Sequence, residues 1–192
     1  MNCRILGAVI AIVLPATAQA QDASAWSGFN FGLQASKGNG SQTYLPDGSY
    51  DLVGNGFGGF VGYMMANGAW AYGGELAYAG TDYYEAAIDS SVEYPEWNFN
   101  HTLDLKARVG YAVGRALVYG VLGYGFSEYE MGSETSVTDI KGAIFGLGVD
   151  YLVSDRMFVG AEVLSRDIGL SDSDEPFDAN LTTITLRVGM KF

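Results

Sequence analysis

Charged residues stand at alternate positions inside otherwise apolar segments: Glu75, then Asp104, Lys106 and Arg108, then Asp150, then Glu162 and Arg166, and last Arg187. Both signs are present. A charge removed from water costs several kcal/mol unless an opposite charge compensates it, so the chemistry these residues point to first is ion pairing. Charges inside an apolar span also mark gates and narrow ion paths. A second group is acidic only: Asp47, Asp51, Asp82, Glu85, Asp89, Glu93, Glu96, Glu128, Glu130, Glu134, Asp139, Asp167, Asp172, Asp174, Glu175 and Asp178. Hard divalent cations favour such oxygen ligands. The densest stretch, Asp172-Ser173-Asp174-Glu175, lacks the glycine and the terminal Glu spacing of a calcium loop, and a solvated, self-repelling surface is the better account of the acidity. No metal site is assigned.

Other chemistry is poorly supplied. There is one cysteine, Cys3, and one histidine, His101, which leaves almost no material for disulfides, zinc clusters or Cys/His catalysis. A hydrolase needs a nucleophile, a base and an orienting carboxylate. His101 is the only histidine base on offer, and it simply precedes Thr102. No enzyme activity and no cofactor are expected. Ten Lys plus Arg against 22 Asp plus Glu give a net charge of -12, so no surplus cation remains to displace phosphate counterions, and nucleic acid is not a partner.

The N-terminus reads as a targeting segment. Arg4 is followed by an apolar run from Ile5 to Leu14, broken by Pro15, and Ala18-Gln19-Ala20 has the small-x-small pattern of a secretory cleavage site. The run is too short for a bilayer-spanning helix, which needs about 20 apolar residues. Residues 1–20 are therefore expected to be a signal peptide, cleaved after Ala20, and residues 21–192 one domain. Cleavage removes the only cysteine.

The elements that must hold the charges are strands. With 27 Gly and 13 Tyr the chain is a poor helical bundle, and a two-residue alternation returns eight times. The predicted strands are Ser27–Lys37, Gly56–Met65, Ala69–Gly80, Asn98–Val113, Ala116–Tyr129, Ile140–Val153, Met157–Asp167 and Leu181–Phe192. The fourth is the clearest: Leu103, Leu105, Ala107, Val109 and Tyr111 oppose Thr102, Asp104, Lys106, Arg108 and Gly110. The fifth is apolar on both faces and its register stays open. Tight turns at Ala66-Asn67-Gly68, Gly114-Arg115 and Ser154-Asp155 alternate with long loops near 38–55, 81–97, 130–139 and 168–180. That alternation fits an all-β, eight-stranded, antiparallel up-and-down transmembrane barrel with both termini in the periplasm.

Alternation alone does not say whether the apolar face points inward, as in a soluble barrel, or out to lipid. Volume separates the two. An eight-stranded barrel has an interior only just wide enough for side chains, and the apolar face carries Trp, Tyr, Phe, Leu and Met at most positions. The opposite face is mainly Gly, Ala, Ser and Thr with isolated charges, which suits a narrow packed lumen. Aromatics also gather toward predicted strand ends. Trp26, Tyr63, Trp70, Tyr72, Tyr111, Tyr151 and Phe192 lie at one end, and Tyr78, Trp97, Phe99 and Phe126 toward the other, as membrane-interface girdles require.

Trp26-Ser27-Gly28-Phe29-Asn30-Phe31-Gly32 resembles the first strand of small Gram-negative outer-membrane barrel proteins, and Leu186-Arg187-Val188-Gly189-Met190-Lys191-Phe192 resembles their C-terminal assembly signal. The mature chain is similar throughout to the membrane domain of outer membrane protein A, to adhesin-like small barrels and to porin-family surface proteins. That resemblance implies insertion by the barrel-assembly machinery, with Phe192 as the signal, and residence in the outer membrane among its lipid and lipopolysaccharide. The membrane domain of outer membrane protein A resembles the present arrangement of lumen charges too.

Counting upward from the short-turn side, Glu75 and Arg108 stand level on adjacent strands, as do Glu162 and Arg187. Two lumen ion pairs are expected, Glu75 with Arg108 and Glu162 with Arg187, with Asp104, Lys106, Asp150 and Arg166 able to extend the network. The function expected is that of an integral outer-membrane barrel with a charge-plugged lumen, structural and surface-interacting through acidic extracellular loops. The alternative is a low-conductance, porin-like channel for small solutes; a lipid A-modifying enzyme is a more distant one.

Overall fold

A computed structural model describes residues 22–44, 48–86, 97–131, 137–170 and 177–192; the signal segment and cleavage site expected from the sequence lie outside them. A short 3-10 turn, Ala23–Trp26, leads into eight strands: β1 Gly28–Tyr44, β2 Gly48–Asn67, β3 Trp70–Ala86, β4 Trp97–Val113, β5 Ala116–Met131, β6 Val137–Leu152, β7 Met157–Leu170 and β8 Phe177–Lys191. Each pairs antiparallel with the next, and β1 pairs with β8, so the sheet closes into a barrel. Closure satisfies every strand edge, the condition for a sheet to stand in hydrocarbon. At the seam the Phe192 amide donates to the Phe29 carbonyl at 2.8 Å.

The tight turns fall where the sequence places them. Gly68 and Gly114 adopt positive φ values of 59° and 60°, which a residue with a Cβ resists, and this brings β2 back as β3 and β4 back as β5. At the β6–β7 turn the Ser154 hydroxyl oxygen accepts from the Met157 amide at 3.0 Å.

The other end corrects the predicted loops. β1 and β2 remain paired as far as Tyr44 opposite Gly48, so most of the stretch 38–55 is strand. β3, β4, β5, β6, β7 and β8 likewise run into the stretches 81–97, 130–139 and 168–180 assigned to loops. Apolar alternation marks the part of a strand that meets lipid. The hydrogen-bond ladder itself is indifferent to polarity and continues past it.

The faces are sorted as a lipid solvent demands. Leu122, Leu147, Leu186 and Phe29 are 64–70% exposed on the outer wall, whereas Glu75 and Arg187 are 2% and 3% exposed inside. β5 now has a register: Val118, Leu122, Tyr124 and Phe126 face out, and Leu117, Tyr119 and Val121 face in. Tyr63, Trp70, Tyr72, Tyr111, Tyr151 and Phe192 are exposed near the short-turn end, with Tyr78 and Phe126 toward the other; the side chains of Trp97 and Phe99 lie outside the described residues. Trp26 is not part of the girdle. It is buried, because the 3-10 turn folds it under the barrel against Phe158.

The lumen also holds more bulk than the sequence suggests, with Phe60, Met64, Leu117, Tyr119, Ile144, Phe158 and Leu164 buried there. All but Leu117 fit because glycines stand opposite them on neighbouring strands. Tyr119 faces Gly110 on one side and Gly148 on the other, and Phe158 faces Gly189. A Cβ built on Gly148 or Gly189 would strike the aromatic ring it faces.

Candidate functional site

Among the described residues, six charged side chains converge in one lumen cluster: Glu75 from β3, Lys106 and Arg108 from β4, Asp150 from β6, Glu162 from β7 and Arg187 from β8. None has a side chain more than 3% exposed. Lys106 Nζ lies 2.8 Å from Glu75 Oε1 and 2.9 Å from Glu162 Oε1. Arg108 donates through Nη1 to Glu75 Oε2 at 2.9 Å and through Nη2 to Asp150 Oδ2. Arg187 donates through Nη2 to Glu75 Oε2 and through Nη1 to Glu162 Oε2 at 3.1 Å, while its Nε is 3.7 Å from Asp150 Oδ1. Three cations thus balance three carboxylates, and the cluster as a whole carries no net charge. That balance offsets the desolvation which would otherwise forbid so many ions in a narrow apolar wall.

Aromatic rings frame the cluster. The Arg108 guanidinium lies 3.8 Å from the Tyr119 ring centroid, and that of Arg187 lies 4.0 Å from Phe60. The Tyr119 hydroxyl stands 3.3 Å from both Asp150 and Glu162. A separate pair joins β7 to β4: Arg166 donates through Nη1 and Nη2 to the two oxygens of Asp104, each at 2.7 Å, the two-pronged geometry in which Arg binds carboxylate best.

The contacts are not confined to neighbouring strands. Directly opposite Glu75 is Lys106, not Arg108, which faces Gly73; opposite Arg187 is Gly160, and opposite Glu162 is Thr185. Long side chains reach past their immediate partners and across the lumen, so the structure brings two expected pairs, Lys106 and Asp150 into one web. Asp104 and Arg166 form their own pair. Tyr119 and Phe60 are members that sequence reasoning missed. The available signal was the pattern of glycines opposite them, which cannot be read before strand register is known.

His101 is elsewhere. It sits on the outward alternation of β4 with its ring 5.7 Å from Tyr78, beside Gly80 and Glu128 on the flanking strands. Among the described residues no three His, Cys, Asp or Glu side chains are placed to hold a metal ion. Of the acidic set, Asp51, Asp82 and Asp167 are exposed, and Asp82 accepts from the Asn55 amide. The stretch Asp172-Ser173-Asp174-Glu175 lies outside the described residues.

A closed barrel of this kind can be compared with known proteins. The profile of the outer membrane protein beta-barrel domain matches residues 8–192. The chain belongs to that family. It is 28% identical over 189 residues to the 22 kDa outer membrane protein of Rhizobium leguminosarum bv. viciae, a match covering 91% of this chain and 82% of that one. Among solved structures it is similar in fold to Neisserial surface protein A (14% identity, TM-score 0.56, covering 86% of this chain and 98% of the other). The outer membrane protein OprG of Pseudomonas aeruginosa is also similar (16% identity, TM-score 0.50, covering 90% and 98%). This outer-membrane barrel therefore resides in the cell outer membrane, and its exposed belt of Leu, Phe and Val is the surface that meets lipid.

Proposed function

We propose that this barrel is a closed, structural and surface-interacting protein of the outer membrane rather than a conduit. The observation that carries the reading is the reach of the ion-pair web: residues of β3 and β4 contact residues of β6, β7 and β8 across the axis, where an open pore would need water. Phe60, Phe158 and Trp26 fill the lumen toward the short-turn end.

Specificity then belongs to the long-loop side, as loops carry it in most scaffolds. Its charge supports contact with cationic or cation-bridged partners. Lys37 and Lys141 are exposed among lipid-facing side chains near that end, which suits contact with the phosphate groups of lipopolysaccharide. Assembly would follow the route of other outer-membrane barrels, through the barrel-assembly machinery and the C-terminal Phe192.

Single-channel recording on the refolded barrel in planar bilayers tests the reading. A silent bilayer is expected. Reproducible discrete steps, altered by Arg108→Ala or Arg187→Ala, would replace it with the low-conductance channel for small solutes.

A further inference from the structure

The short-turn end of the lumen is closed from below by the 3-10 turn. Asp22 caps it, accepting from the Ser24 amide at 2.8 Å. The Ala23 amide donates to the Gly68 carbonyl at 2.8 Å, tying the turn to the β2–β3 connection. Trp26 then stands edge-on to Phe158 with centroids 6.0 Å apart, Phe158 packs on Phe60 at 6.1 Å, and Phe60 carries the Arg187 guanidinium. An aromatic column therefore links the N-terminal turn to the charged web.

Beside that column is a cavity of about 10 Å³ bounded by Trp26, Asn30, Met64, Arg108, Asp150 and Phe158, among others. That is the lower limit of what one water needs, about 10–15 Å³. Three lining residues, each no more than 6% exposed, have polar atoms with no partner among the described residues: Trp26 Nε1, Asn30 Oδ1 and Arg108 Nε. Buried polar groups are ordinarily satisfied. Here two are donors and one is an acceptor, and the Asp150 carboxylate adds further acceptor capacity. A cation would meet Arg108 and Lys191, and an anion would meet Asp150. A polyatomic solute is too large. Water has the required size and can both accept and donate.

We propose that this cavity is a binding site for a single structural water, and that the water latches the Trp26 turn to Asn30 and to the Arg108–Asp150 edge of the web. The latch does not depend on whether the barrel conducts, since it rests on the orphaned polar atoms and the cavity alone.

The test is water-to-protein magnetisation transfer on the refolded W70F/W97F barrel in lipid nanodiscs, where Trp26 supplies the only indole signal. A cross-peak between the Trp26 indole proton and a long-lived water is expected, with slow hydrogen exchange of that proton. It should be lost in Asn30→Leu, with heat-modifiable gel migration unchanged as the sign of an intact barrel. No cross-peak in the parent, or one unchanged in Asn30→Leu, overturns the proposal. A crystal structure of the unsubstituted barrel decides the same point without relying on the variants. Solvent density within hydrogen-bond reach of Trp26 Nε1 and Asn30 supports the latch, and a dry cavity or an indole turned out to solvent overturns it.

Discussion

Arg187 rests its guanidinium on the face of Phe60, 4.0 Å from the ring centroid, while its nitrogens reach Glu75 and Glu162. The ring covers a cation that has surrendered its water, and in a desolvated setting such a contact is worth about 2 kcal/mol. Phe60→Leu keeps most of the apolar volume and removes the π face, so it should lower stability by about 1–2 kcal/mol. Phe60→Ala, which also opens a cavity, should cost about 3–5 kcal/mol. Urea unfolding in lipid vesicles measures both, and a Phe60→Leu barrel as stable as the parent would show that the ring acts by volume alone.

The web predicts a particular pattern of coupling. Glu75 touches Lys106, Arg108 and Arg187, so Glu75→Gln or Arg187→Met alone strands an opposite charge in the lumen and should cost about 3–5 kcal/mol. Combining them restores neutrality, and the double variant should recover part of the sum. Among the described residues the Asp104–Arg166 pair shares no partner with Glu75, so Asp104→Asn with Glu75→Gln should add to within about 0.5 kcal/mol. Additivity in the first cycle would remove the web as an energetic unit.

The two faces of each strand were legible because lipid and lumen impose opposite chemistry at a period of two residues. β4 shows this at its plainest, with Leu103, Leu105 and Val109 outside and Asp104, Lys106 and Arg108 inside. β5 was illegible because Leu117, Tyr119 and Val121 are lumen residues as apolar as their lipid-facing neighbours. The two expected pairs, Glu75 with Arg108 and Glu162 with Arg187, are present, but their further partners across the lumen were illegible for another reason. A count along neighbouring strands sets Glu75 beside Arg108, but it does not contain the closure that brings β3 and β4 against β6, β7 and β8. Residue type and position place Trp26 in a girdle, and only the turn that precedes β1 turns it inward.

Tyr119 and Gly148 form a size-matched pair, directly opposite each other on β5 and β6. Adding a side chain at position 148 should be destabilising because it collides with the phenol ring, by about 1–3 kcal/mol for Gly148→Ala. The same substitution in a Tyr119→Leu background should cost less than it does alone. Thermal unfolding of the four proteins in detergent checks the cycle, and an unchanged cost in the Leu background would assign the penalty to the backbone.

Phe192 joins two structural roles. Its amide closes the seam onto Phe29, and its ring stacks on Phe31 at a centroid distance of 5.5 Å and an interplanar angle of 13°. The backbone bond survives replacement by alanine, whereas the stacking does not, so Phe192→Ala should reduce the stability of refolded barrel by only about 0.5–1.5 kcal/mol. A much larger loss of folded protein in the outer membrane of expressing cells, seen by heat-modifiable migration, would separate an assembly role from that modest stacking effect. Parallel losses in both measurements would leave packing as the sole role.

Acid should loosen the N-terminal turn before it touches the barrel. The Asp22 carboxylate is held below its ordinary value, chiefly by the hydrogen bond from the Ser24 amide and then by that from the Ser24 hydroxyl. A carboxyl lowered in the folded state contributes stability that is present above its unfolded value and is lost as the pH falls through its folded value. The cap should therefore hold at neutral pH and fail only below the usual aspartate range. Trp26 emission in the W70F/W97F barrel should shift to the red across that acid window while the strand signal in circular dichroism persists. Asp22→Asn keeps a side-chain acceptor and loses the titrating group, so its Trp26 emission should be flat through the same window. A red shift of equal size in Asp22→Asn would assign the acid response to some other group.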